Sequence, residues 1–120
     1  MQKLVLPAVG AVAVAVCGCG ATPPQVPRPE VSTLSHAISE LGTHCGDAIT
    51  ATALAPNEPA LRKLDALARV NANELVSVLR RNPAWIYESE TVRHIAREEA
   101  SDLDGCGLHR SASVLSEAAG

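Results

Sequence analysis

Val31-Ser-Thr-Leu34-Ser-His-Ala-Ile38-Ser-Glu-Leu41-Gly-Thr-His-Cys45-Gly-Asp-Ala48 is the stretch on which the fold turns. Its apolar residues Val31, Leu34, Ile38, Leu41, Cys45 and Ala48 recur at steps of three and four, which lays them along one stripe of an amphipathic helix. Ser32, Glu40, Thr43 and Asp47 fall on other faces. Cys45 lies on the stripe, so its sulfur is expected to point inward, as a structural cross-link does and a reactive exposed thiol does not. Gly42 and Gly46 each weaken the helix by about 1 kcal/mol relative to Ala. Spaced four apart they share a face, where a neighbouring helix is expected to approach closely.

Reading outward, this first helix should stop near Leu54, because Ala55-Pro-Asn-Glu-Pro59 holds two prolines and an N-cap residue in Asn57. A second helix is predicted from about Glu58 to Arg81, with Leu61, Leu64, Leu67, Ala68, Leu75, Val78 and Leu79 inward and Arg80 and Arg81 at the negative end of its dipole. Asn71 lies on the inward stripe. It is either a satisfied buried amide in a continuous helix, the preferred reading, or the mark of a break. Asn82-Pro83 ends this helix. A third runs from around Ser89 and Glu90 to Leu103, with Val92, Ile95, Ala96, Ala100 and Leu103 inward and Gly105 as its C-terminal stop. A short final helix spans Leu108 to Ala118 with Leu108, Ala112 and Leu115 inward, and Ser111, Ser113 and Ser116 on its polar faces. The fold class is therefore all-α, a small bundle of three main helices plus a short C-terminal one. With no Phe in the chain, its core must be built from Leu, Val, Ile and Ala.

Trp85 and Tyr87, the one Trp and the one Tyr, sit at the junction between the second and third helices. They either cap the end of the core, rings buried and polar atoms wet, or anchor a binding partner.

The N-terminus sets the compartment. Met1-Gln-Lys3 is a short positive start, and Leu4 to Val16 is an apolar run, which together have the layout of a secretory signal. At about 1.5 Å per residue the run reaches about 20 Å, short of the roughly 30 Å of bilayer hydrocarbon, and Pro7 interrupts it. It ends in Val16-Cys17-Gly18-Cys19, which resembles the lipobox of bacterial membrane lipoproteins. That resemblance implies removal of residues 1–18 and acylation of Cys19, which becomes the mature N-terminus. Cys17 departs from the usual pattern at its position. The alternative is an ordinary signal cleaved after Ala21, leaving a secreted protein. Residues 19–29 then form a lipidated, Pro-rich tether in extended polyproline form, and residues 30–120 the helical domain. Pro24-Gln-Val-Pro27 fits the PxxP ligand pattern, for which a spacer is the plainer reading.

Once this processing is taken into account, two cysteines are left. Cys17 departs with the leader and Cys19 carries lipid, so Cys45 and Cys106 remain as an even pair in an oxidising compartment, where a disulfide between them stapling the bundle is expected. Lys3 also departs, so nine of the ten basic residues stay against thirteen acidic ones, a formal charge of −4 in place of −3. No basic cluster stands out along the chain, which argues against nucleic acid and anionic headgroups as partners. Contact with the membrane is expected through the N-terminal lipid alone, and a further partner is expected among envelope proteins.

Candidate chemistry is sparse, and no catalytic motif or cofactor fingerprint stands in the chain, so a non-enzymatic role is expected. His44, Cys45, Cys106 and His109 form a two-cysteine, two-histidine set that zinc accepts, although neighbouring residues on a helix diverge by about 100° and oxidation favours the disulfide. Glu40 with His44, and Glu90 with His94, have the i, i+4 spacing of ordinary exposed helix pairs. The expected role is thus a lipid-anchored interaction or structural module of the cell envelope, with a metal-binding or sensing domain as the alternative.

Overall fold

A computed structural model describes residues 24–120 of the chain. The leader 1–18, Cys19 and the first residues of the expected tether lie outside the described residues. Four helices follow one another: α1 (Arg28–Thr52), α2 (Glu58–Arg81), α3 (Val92–Gly105) and α4 (His109–Ala119), with a hairpin of two short strands, β1 (Ile86–Tyr87) and β2 (Glu90–Thr91), between α2 and α3. The fourth helix, with 11 residues, is little shorter than the third, with 14. No helix among the described residues is long and apolar enough to cross a membrane.

α1 and α2 form an antiparallel pair. Asn57 caps α2 as its sequence suggests, its side-chain oxygen accepting from the Ala60 N–H at 3.3 Å. At the other end of the pair Glu30, in the first turn of α1, meets Arg81, in the last turn of α2, at 3.2 Å. These are the ends at which each helix dipole favours that charge. α2 packs on α4 as well as α1, and α3 packs chiefly on α4. The core is made of Leu34, Leu41, Leu75, Val78, Val92, Leu103, Leu108 and Leu115, all fully buried, with small residues such as Ala37, Ala48, Ala68 and Ala72 between them. Each buried Leu or Val contributes about 1.5–3 kcal/mol through removal of apolar surface from water.

Two residues expected inward are exposed: Val31, in the first turn of α1, and Leu67, which lies on the outer side of α2. Asn71 is a buried amide in an unbroken helix. His44 Nε2–H donates to its oxygen at 3.2 Å and its own N–H group donates to Glu74 Oε1 at 2.8 Å.

The hairpin replaces what the sequence suggested was the start of α3. Tyr87 pairs with Glu90 and Ile86 with Thr91, so the loop is the two residues Glu88 and Ser89, both at positive φ, 48° and 72°. Positive φ at both central positions is the geometry of a type I′ turn, whose twist matches that of the strands. Helix α3 then starts after Thr91, whose hydroxyl accepts from the His94 N–H at 3.1 Å.

Part of the Pro-rich segment expected as tether packs on the domain. The Val26 N–H donates to the Ile86 carbonyl at 2.9 Å, and the Ile86 N–H donates to the Pro24 carbonyl at 3.0 Å. Proline lacks an N–H but keeps its carbonyl, so the segment pairs with β1 through the groups it has. Val26 is buried in the core and helix α1 begins at Arg28. Pro24-Gln-Val-Pro27 is thereby engaged by its own domain.

Candidate functional site

Cys45 and Cys106 are joined as a disulfide, with Cα atoms 5.6 Å apart. α1 supplies Cys45 from its inward stripe. Cys106 is placed by the end of α3, where the Gly107 N–H donates to the Asp104 carbonyl at 3.2 Å and the Leu108 N–H to the Leu103 carbonyl at 2.9 Å. That pair of bonds is a Schellman ending, which needs a left-handed residue one position past the cap. Gly107, at φ 95°, supplies it. The required glycine is therefore Gly107, not Gly105, which is the last residue of α3.

Pairing of the two sulfurs removes them from the zinc set proposed from the sequence, because a disulfide offers no thiolate. The two histidines also face other partners. His44 is bonded to Asn71, and His109 Nδ1–H donates to Asp104 Oδ1 at 2.6 Å. The structure thus does not bring His44, Cys45, Cys106 and His109 together as ligands. Nor does a helix approach Gly42 or Gly46: no atom of another element lies within 4 Å of where a Cβ would stand on either. They border a shallow groove with Cys45, Ile49 and Leu103.

Trp85 and Tyr87 are half-buried and pack against the core. Tyr87 also lines a groove between α1 and α3 together with Ser35, Ser39, Glu90, Glu98 and Glu99. One side of this groove is acidic. His94 Nε2 lies 3.5 Å from Glu90 Oε1 and 3.4 Å from Glu98 Oε2. A hydrogen bond to Glu98, helped by burial and by the charge of Glu98, raises the pKa of Glu90. Burial, with Asp102 and Glu98 nearby, pushes Glu99 up to about 7. His94 and Glu98 are exposed and Glu90 is partly so, which fits the ion-paired reading of such spacing.

A cavity lies between α2 and the start of α4. It has a volume of about 500 Å³, and Leu61, Arg62, Asp65, Arg69, Gly107 and Arg110 are among the residues that line it. Arg62 and Arg69 are two turns apart on one face of α2, with Asp65 between them. Arg110 comes from the first turn of α4. Asp65 also completes that turn. Leu108 at the N-cap has no side chain able to accept, and the Asp65 carboxylate takes the role from a different helix. It accepts from the Arg110 N–H at 3.1 Å and the Ser111 N–H at 2.9 Å, and the Ser111 hydroxyl donates to it at 2.6 Å. Ser111, expected on a polar face, is completely buried for this reason.

Among the described residues, none of Arg62, Arg69 and Arg110 forms an ion pair. The sequence shows no basic cluster because the three arginines span 48 positions (110 minus 62) and meet only when α4 packs on α2. No protein-family model, no curated protein and no solved structure matches the chain.

Proposed function

We propose that this chain is a lipid-anchored, non-catalytic binding module of a bacterial cell envelope. The observation that carries the reading is a disulfide-closed helical domain directly behind a leader that ends in Val16-Cys17-Gly18-Cys19. A disulfide fits an oxidising, extracytoplasmic compartment. Acylation of Cys19 holds the mature chain at the membrane surface, and the domain presents its grooves and the half-buried Trp85 and Tyr87 to partners there. Aromatic residues of this kind dominate the energetics of protein interfaces, which favours an envelope protein as one such partner.

The test is mass spectrometry of the protein isolated from a bacterial membrane. The reading expects a mature N-terminus at Cys19 bearing acyl chains, and a Cys19→Ala variant that stays unprocessed and unacylated. A mature chain that starts after Ala21 without acyl groups would assign the protein to the secreted class instead. Capture of envelope proteins by the wild type, weakened when Trp85 and Tyr87 are replaced by Ala, tests the contact residues.

A further inference from the structure

We infer that the groove between α2 and α4 binds a small phosphate-bearing anion. The inference deepens the reading as a binding module by naming a ligand class. Three arginines, Arg62, Arg69 and Arg110, line one cavity. Guanidinium is the side-chain group best matched to phosphate, because its planar fork of N–H donors pairs with two oxygens at once and it stays charged at every physiological pH.

The local carboxylates do not neutralise the site. Asp65 has its oxygens committed to the Arg110 and Ser111 N–H groups and the Ser111 hydroxyl. Even with Asp65 and Glu58 both counted as ionised, the lining arginines keep a formal excess of one positive charge. The positive end of the α4 dipole is already met by the Asp65 carboxylate, so the excess rests on the arginines.

Size and lining narrow the class. At about 500 Å³ the cavity is of the size that holds whole small molecules, so it has room for an organic part beside a phosphate group. Leu61 and Ala66 provide an apolar wall for that part, and Gly107 has no side chain to obstruct it. A phosphomonoester and the phosphodiester of a lipid headgroup share this chemistry. For a protein held at a membrane surface both are within reach.

The experiment titrates the purified full chain, in nonionic detergent, with glycerol 3-phosphate and separately with monomeric short-chain phosphatidylglycerol. Calorimetry gives affinity, and amide NMR shifts give location. Saturable binding of at least one probe is expected, with shifts at Leu61–Arg69 and Gly107–Ser111. Arg69→Gln and Arg110→Gln should each weaken it by about tenfold or more, the loss of one charge-assisted contact. Preference for the first probe identifies a soluble phosphate ester, and preference for the second a lipid headgroup. Failure of both probes to saturate, shifts that map to another face, or affinity unchanged in both variants overturns the inference. Because the shifts are read on the wild type, the result does not depend on the variants folding. Acylation at Cys19 is measured separately, so either proposal can fail without the other.

Discussion

Asp65 sits on α2 and stabilises the start of α4, because the carboxylate supplies the cap that Leu108 cannot. Asp65→Ala leaves the Arg110 and Ser111 N–H groups without their acceptor, while the buried Ser111 hydroxyl keeps the backbone carbonyl of residue 65, at 2.9 Å. The expected loss is about 2 kcal/mol, read as a lower urea midpoint. Glu99 gives stability a pH dependence. Its carboxyl is held up to about 7 in the folded chain, against 4.5 as the ordinary value, so between these two pH values the folded state binds more protons than the unfolded one. Stability contributed by the protonated form is fully present below 4.5 and is lost as pH rises through about 7. Because Glu99 is partly exposed, solvent screening reduces the effect to on the order of 1 kcal/mol. Glu99→Gln should flatten this part of the profile, checked by unfolding midpoints at about pH 5 and about pH 8.

Helices were more legible in the sequence than their connections, and the reason is physical. Apolar spacing and Asn57 located α2 at Glu58–Arg81, and the stripe of α1 predicted Leu34, Leu41 and Ala48 as buried. The hairpin escaped because strands of two residues are too short to show alternation, and Glu88-Ser89 lacks the Asn-Gly or Asp-Gly that announces a type I′ turn. That mismatch is itself testable. Replacing Glu88 by Asn and Ser89 by Gly should stabilise the protein by about 1 kcal/mol by relieving positive φ at two positions, measured as a higher thermal midpoint. The docking of Val26 escaped for a different reason. Proline-rich composition describes a segment's average, whereas one N–H, of Val26, and one carbonyl, of Pro24, decide whether it pairs. Of the site, the cysteine pair was legible on the expectation that Cys17 leaves with a leader and Cys19 carries lipid. The arginine groove was not, because periodicity places residues on faces of one helix and cannot say which faces of two helices meet.

For the whole molecule, the disulfide links the middle of α1 to the end of α3, two helices that touch each other only narrowly. It spans a sequence separation of 61 residues, for which the chain-entropy model gives about 4 kcal/mol of stabilisation. That is a large fraction of the roughly 5–15 kcal/mol available to a small domain. A Cys45→Ala, Cys106→Ala double variant should therefore lose most of its resistance to urea, while the remaining contacts still favour helix.

The most direct measurement is peptide mapping of the protein isolated without a reductant, alkylated and then digested. Peptides containing Cys45 and Cys106 are predicted to appear joined, with neither sulfur alkylated until a reductant is added. Recovery of both peptides separate and alkylated before reduction would contradict the account.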